Sequence, residues 1–360
     1  MSSKRVSVHE FVLAPESDLQ DFVRGKALFS HLQSRGLVLT PSADGDFLIA
    51  IDHDAKMYRN FIAEGGSSKR SVLIRLEPIS VFPAQYQAAV TNLYGFIITP
   101  GSTDYQEYGT DDFIGWPYGY HANPNRPIKE TILESVIKKQ ESDQIFSVEN
   151  WIKRKEVLSM IAANKVSPTH EGNYKLRRKI AKSIPPQVLS VYGPLWNGEL
   201  KNKLDHRLWV ARFALANGTI LNIKELYGDF FCYYKSAKGI VKNKYEVLRN
   251  SRFALVVENS DTYVSEKIFD AFISGAIPIY IGPDLEKVGF PQGISFKSNG
   301  DANEIINIVD SFSAEMAELY LGGIEDFLKS KYFWETWSEK AVWQKISNKV
   351  FDYFESVQNS

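Results

Sequence analysis

Short apolar runs alternate with helix-like segments along the first part of the chain. These runs lie at residues 46–51, 71–76 and 95–100; the first two are followed by acidic residues, and the third ends in a proline. Apolar runs of this length, separated by helical segments, are typical of parallel strands that helices cover on both faces. The pattern therefore predicts a parallel α/β sheet in the first part of the chain.

The same alternation starts again in the second half. Four more strands are predicted at residues 155–163, 188–193, 252–258 and 277–282, and two helices at 176–183 and 266–274. Residues 101–127 are rich in Gly, Pro, Asp and Asn and are predicted to be loop. The polar residues near 130–150 are predicted to link two α/β lobes. Because ligands of open α/β sheets bind beyond the carboxyl ends of the strands, we expect the functional cleft between the lobes.

Composition supports two domains and excludes several classes of protein. A chain of 360 residues exceeds the roughly 250–300 residues that one hydrophobic core usually spans. Lys and Arg number 42 and Asp and Glu 43, a balance that argues against a nucleic-acid-binding protein. The single cysteine, Cys232, excludes an internal disulfide framework, and the six histidines lack zinc-ligand spacing. Without an apolar leader or a spanning segment, a soluble cytoplasmic protein is expected.

The most informative segment lies between a predicted buried strand and a predicted helix. Residues 258–267 read ENSDTYVSEK, so polar side chains gather at the end of a strand and at a helix N-terminus. Unpaired N–H groups and the helix dipole favour an anion at such a place, and Lys267 adds a full positive charge. The alternative is an ordinary capped helix, with Ser265 as the cap and a solvated first turn. The whole cluster favours a phosphate site.

The segment Phe253–Gly282 (FALVVENSDTYVSEKIFDAFISGAIPIYIG) resembles the signature of the α-1,3/4-fucosyltransferase family. The shared pattern is a strand, then E-N-[ST], then Y-[VI]-[ST]-E-K, a helix, and a small-residue turn into a strand that contains proline. Weaker similarity is found at residues 76–78, 116–119, 188–193 and 242–248. The spacing between Asn259 and Tyr263 is shorter than in familiar members, and residues around 195–230 resemble an insertion.

This resemblance implies the two-lobed GT-B fold, an α/β architecture of two Rossmann-like lobes facing an interdomain cleft. On this basis residues 1–150 form an acceptor-binding lobe and residues 151–330 a nucleotide-sugar-binding lobe. Residues 331–360 form a C-terminal aromatic helix that packs back on the first lobe. Because acids and bases balance in this helix, weak peripheral membrane contact is only the minor alternative to packing.

The resemblance also implies an inverting transfer of L-fucose from GDP-β-L-fucose to a hydroxyl of a glycan acceptor. The acceptor unit would be N-acetylglucosamine or glucose, in an α-1,3 linkage. Glu77, before Pro78 at a strand end, is the candidate catalytic base. The candidate donor-binding residues are Arg177, Arg178, Glu258, Asn259, Tyr263, Glu266 and Lys267. No cofactor and no metal are required on this basis, and the partners are GDP-fucose and a glycan.

Several alternatives stay open at this point. A transferase of the same fold that uses another nucleotide sugar fits the same pattern, as does a nucleotide-sugar-binding protein without turnover. A P-loop or Rossmann enzyme is disfavoured because its glycine fingerprints are absent. The D-x-D pairs at residues 44–46 and 52–54 match a short metal-binding pattern, although aspartates at such positions are more often turn residues.

Overall fold

The protein is described here by a computed structural model, which covers residues 4–10, 26–99, 142–167, 172–198, 200–216, 223–227, 229–261 and 264–358. The chain forms two compact units. The first unit combines Met1–Glu130 with Trp334–Ser360, and the second is Thr131–Phe333.

The first unit contains a five-stranded sheet in which all paired strands run parallel. In chain order its strands are β1 (Arg5–Glu10), β2 (Val38–Thr40), β3 (Phe47–Ile51), β4 (Ser71–Ile74) and β5 (Phe96–Ile98), and the order across the sheet is β2-β1-β3-β4-β5. The helices between them are α1 (Lys26–Ser34), α2 (Ala55–Ala63) and α3 (Ala88–Thr91). Strands β3 and β4 are buried at every position, as expected of central parallel strands.

The last helix of the chain belongs to the first unit. The ring of Phe354 lies 4.1 Å from that of Phe47, and Tyr353 stacks on Phe96 at 4.9 Å between centroids. The Tyr353 hydroxyl also donates to the carbonyl of Lys69 at 2.8 Å. Aromatic burial therefore attaches this helix to the sheet.

The second unit contains a six-stranded parallel sheet with the order β11-β10-β9-β6-β7-β8. Its strands are β6 (Glu156–Ile161), β7 (Leu189–Tyr192), β8 (Ala237–Gly239), β9 (Ser251–Val257), β10 (Ile277–Ile281) and β11 (Phe296–Lys297). The remaining helices are α4 (Ser142–Ile145), α5 (Val148–Ile152), α6 (Tyr174–Ser183), α7 (Leu200–Ala216), α8 (Ile223–Tyr227), α9 (Lys244–Arg249), α10 (Glu266–Ile273), α11 (Ala302–Asp310), α12 (Ala314–Lys329), α13 (Lys331–Thr336) and α14 (Glu339–Gln358), the last of which is the C-terminal helix just described.

The predicted α/β class with two parallel sheets is confirmed. The sequence pattern missed β1 and β2, since β1 mixes polar and apolar residues and β2 has only three residues. The predicted loop at 101–127 and the P-Y-G segment at 116–119 lie outside the described residues. No helix in the described part of the chain is both long enough and apolar enough to cross a bilayer.

Candidate functional site

The carboxyl end of β9 leads directly into the N-terminus of α10. Seven residues of β9 form a nearly continuous buried run, so the strand lies in the centre of the sheet. Ser265 caps α10, and its hydroxyl accepts from the N–H of Lys267 at 3.4 Å. The polar residues between strand and helix are thus held between two rigid elements.

Glu258 is a fully buried carboxylate beneath the first turn of α10. One of its oxygens accepts from the N–H of Ser265 at 2.8 Å, and the other accepts from the Ser265 hydroxyl at 2.5 Å. The ammonium of Lys267 lies 3.0 Å from that second oxygen, and the Tyr280 hydroxyl donates to the first at 3.4 Å. A buried charge requires such partners, and here they come from the helix that follows.

Gly282 follows β10 and lies against this carboxylate. A β-carbon at position 282 would lie 2.8 Å from Cγ of Glu258 and 2.7 Å from the Tyr280 hydroxyl. A side chain there would push the strand away from the carboxylate. The glycine at the end of the quoted segment is therefore explained by close packing.

Lys267 is the cation of this group, and its side chain is 21% exposed. Its ammonium donates to Glu258 at 3.0 Å and to the Ser265 hydroxyl at 2.7 Å. Two of its three N–H donors are thus directed at partners in the protein, and the partial exposure leaves it accessible to an anion. The sequence predicted a cation at the helix N-terminus and a donor-binding role for Glu258, but it did not reveal that Glu258 is buried and holds this cation in place.

Arg177 of α6 lies against the same strand end. Its Nη2 donates to the carbonyl of Val257 at 2.6 Å and to Oδ1 of Asn259 at 2.7 Å. The arginine is almost fully buried, and the aromatic ring of Tyr174 lies 5.1 Å from its guanidinium carbon. The structure therefore brings Arg177 and Asn259 together, and the arginine fixes the direction of the Asn259 amide.

Asn173, which directly precedes α6, links this helix to the residues that follow β9. Its backbone N–H donates to the carbonyl of Asn259 at 3.1 Å, and its amide donates to Asp261 at 2.8 Å. Asn173 is not among the site residues predicted from the sequence, although an asparagine directly before a helix is a recognisable start signal.

Arg178 points elsewhere although it is the next residue. Its Nη1 donates to the carbonyl of Lys165 at 2.9 Å, and its Nε lies 3.4 Å from Asp229. Burial lowers the pKa of this guanidinium. Of the two candidate arginines, only Arg177 contacts the end of β9 through these hydrogen bonds.

Glu266 is the first residue of α10 and is partly buried, next to Lys267. Tyr263 lies outside the described residues, so its predicted contact with phosphate or sugar stays a prediction. The assignments of Glu258, Asn259 and Lys267 to a donor site also stay predictions, now with a defined geometry.

Glu77 follows β4 in the first unit, at a turn held by several hydrogen bonds. Oδ1 of Asp52 accepts from the N–H groups of Leu76 at 2.8 Å and Glu77 at 3.1 Å. The carbonyl of Glu77 accepts from Gln85 Nε2 at 2.9 Å and from the Tyr86 hydroxyl at 3.0 Å. The main chain of the candidate base is thus fixed on both its donor and its acceptor side.

Asp52 joins β3 to this turn. It is almost fully buried, has a positive φ of 56°, and also accepts from Gln85 Nε2 at 3.1 Å. Aspartate is among the few residues other than glycine that adopt this conformation readily. From the sequence Asp52 fits a metal ligand or a turn residue, whereas its contact with the Glu77 turn is visible only in the structure.

The other aspartates of the two D-x-D pairs make structural contacts. Asp44 pairs with Arg5 at 2.8 Å, Asp46 accepts from the N–H of Arg5, and Asp54 caps α2. His9, whose Nε2 lies 3.3 Å from Oδ2 of Asp54, lowers the pKa of Asp54 to about 2. Within the described residues, no group of three or more His, Cys, Asp or Glu side chains is arranged to hold a metal ion.

Comparison with known proteins shows sequence similarity over part of the chain. The chain is 34% identical over 110 residues to an α-(1,3)-fucosyltransferase of Helicobacter pylori. The matched residues make up 28% of this chain. The match spans only 23% of the length of that enzyme. No family model matches the chain.

Two solved structures are similar in fold. A crystal structure of an α1,3-fucosyltransferase with GDP superposes with a TM-score of 0.51 at 16% identity, covering 99% of this chain and 91% of the other. A crystal structure of HepE from Anabaena with UDP-glucose gives a TM-score of 0.51 at 13% identity, covering 97% and 99%. At these identities the similarity concerns the fold alone. The predicted resemblance of this chain to the α-1,3-fucosyltransferase family is therefore confirmed by sequence over these 110 residues, and over nearly all of its length the chain is similar in fold to such an enzyme.

Proposed function

We propose that the protein is a fucosyltransferase that moves L-fucose from GDP-β-L-fucose to a hydroxyl of a glycan. One observation carries the proposal: Lys267, held by the buried Glu258, lies at the N-terminus of α10 beyond the carboxyl end of β9. A helix N-terminus with a fixed cation is suited to a diphosphate. The relatives support the choice of nucleotide, since one is an α-(1,3)-fucosyltransferase and one crystal structure of such an enzyme contains GDP.

In the proposed donor site, the N–H groups of the first turn of α10 and Lys267 bind the diphosphate. Arg177 holds Asn259 in position to bind phosphate or sugar, and its own charge adds to the positive potential at the end of β9. Glu266 accepts from ribose or fucose hydroxyls, and Tyr263 lines the same site. Arg178 is a candidate through its charge alone, because its Nη1 donates to the carbonyl of Lys165 and its Nε lies 3.4 Å from Asp229.

The proposed chemistry is a single displacement. The acceptor oxygen forms a bond to the anomeric carbon, and the bond from that carbon to the diphosphate oxygen breaks with inversion. Glu77 takes the proton of the attacking hydroxyl, and GDP leaves with the electron pair of the broken bond. Cations at the diphosphate stabilise the charge that develops on the leaving group. Because this charge is larger in the transition state than in bound GDP-fucose, the cations lower the barrier of the reaction.

The acceptor is proposed to be an N-acetylglucosamine or glucose unit, with an α-1,3 linkage. We expect the reaction to require no cofactor and no resident metal. The experiment is incubation with radiolabelled GDP-fucose and oligosaccharides ending in these units, followed by chromatography and proton NMR of the product. An α-linked fucoside supports the proposal, and complete retention of the label in GDP-fucose refutes it.

A second candidate donor is a UDP-sugar, because the fold is also similar to that of HepE, whose crystal structure contains UDP-glucose. Calorimetric titration with GDP and UDP separates the two. Tighter binding of GDP is expected, and a preference for UDP would move the assignment to this second candidate.

A further inference from the structure

The segment between β7 and β8 has an exposed apolar side. Its longer helix, α7, buries Val210 and Ala214 and exposes four leucines on another face. These are Leu200, Leu204, Leu208 and Leu215, which are 45% to 68% exposed. Spacings of four, four and seven residues place them in one stripe along the helix.

The short helix α8 continues this side. Its Ile223 and Tyr227 are 64% and 73% exposed and lie four residues apart, so they share one face. Phe231, just beyond the helix, is 85% exposed. An apolar cavity of about 320 Å³ is lined by residues of both helices, including Leu204, Leu208, Tyr227 and Phe231. We call these four residues, with Leu200, Leu215 and Ile223, the α7–α8 face.

Basic residues border the α7–α8 face. Lys201 and Arg212 are exposed and lie seven residues before and four residues after Leu208, which places them along the edge of the leucine stripe. Of the five Lys or Arg residues of α7 and α8, Lys203 and Arg207 are buried, whereas Lys201, Arg212 and Lys224 are exposed. Asp205 is an exposed acidic residue of α7. Among the described side chains of these two helices, three exposed basic residues thus accompany one exposed acidic residue beside the exposed apolar ones.

We propose that the α7–α8 face docks on the surface of a lipid bilayer that contains anionic lipids. Leucine, tyrosine and phenylalanine enter the boundary between headgroups and acyl chains, while bordering lysine and arginine side chains contact lipid phosphates. Pairing with a second copy would bring two basic borders together, because a twofold interface places the same patch on both sides. Charge complementarity thus favours the anionic membrane over self-association. The proposal is independent of the proposed enzymatic function.

The test is sedimentation with vesicles of phosphatidylcholine alone and of phosphatidylcholine with phosphatidylglycerol, using the full chain. The protein should bind the anionic vesicles, with at least tenfold weaker binding to the neutral ones. The variant L208S/F231S and the variant K201E/R212E should each lose at least tenfold in partitioning. The control is L319S, which removes a leucine that is 74% exposed on α12 and should bind as the unaltered protein does.

Circular dichroism and the urea midpoint establish that each variant is folded. Failure of the unaltered protein to bind anionic vesicles would overturn the proposal, and so would equal binding by L208S/F231S, K201E/R212E and L319S. Light scattering after size-exclusion chromatography tests the alternative that a second copy of the chain covers the α7–α8 face. A dimer that L208S/F231S converts to a monomer would assign the face to self-association instead.

Discussion

Replacement of Glu258 by glutamine should destabilise the second unit strongly. The carboxylate is fully buried and is bonded to the N–H and hydroxyl of Ser265 and to the ammonium of Lys267. Glutamine retains one acceptor oxygen but directs an amide NH₂ at a position where two donors now point. Removal of one partner of a buried ion pair costs about 3–5 kcal/mol, and the partial exposure of Lys267 places the expected loss near 3 kcal/mol.

The assay is urea unfolding followed by circular dichroism, with the free energy obtained by linear extrapolation. Glu325→Gln is the matched control, because it removes one partner of the solvent-accessible Glu325–Lys329 pair on α12 and should cost less than about 0.5 kcal/mol. The double variant E258Q/K267M should be less destabilised than the sum of its single variants, since it leaves no buried charge without its partner. Equal stability of Glu258→Gln and Glu325→Gln would refute this account of the site.

Four further predictions concern Asp52, Glu77, His53 and Arg177. Asp52→Ala leaves three donors without their acceptor and should cost about 3 kcal/mol in urea unfolding, whereas Asp52→Asn should cost less; equal costs would contradict the role of Oδ1. Glu77→Gln should abolish most transfer, measured with labelled donor, and leave GDP affinity within twofold; near-normal turnover would exclude it as the base. Burial lowers the pKa of His53 to about 4. The unfolded chain takes up this proton near pH 6.5 and the folded chain only near pH 4, so stability should fall by roughly 3 kcal/mol as pH drops through that window. In His53→Gln the urea midpoint of unfolding should change less with pH than in the unaltered protein. An equal dependence on pH in both proteins would contradict this. Arg177→Met should weaken GDP binding at least fivefold in calorimetry, and unchanged affinity would remove its role.

The central strands and the capped helix α10 could be predicted from sequence because their signals are local. A buried strand such as β9 is a continuous apolar run, and Ser265 precedes α10 as a helix cap should. The cluster at residues 258–267 was predicted for the same reason, since its members are neighbours in the chain.

The contacts that organise the site could not be predicted, because they join residues distant in sequence. Asp52 reaches the Glu77 turn across 25 residues, and Gln85 Nε2 bonds to both. The choice between Arg177 and Arg178 depends on the rotation of α6, because successive helical residues point about 100° apart. The sequence pattern predicts that α6 begins at residue 176, whereas in the structure α6 begins at Tyr174. Side-chain direction at adjacent positions is not encoded in residue type.

Calorimetric titration with GDP tests most directly whether the β9–α10 segment binds the nucleotide. The unaltered protein should bind GDP, Lys267→Met should lose at least tenfold in affinity, and Lys297→Met, which removes an exposed cation paired with Asp284, should bind as before. Equal GDP affinity of the unaltered protein and folded Lys267→Met would contradict the account.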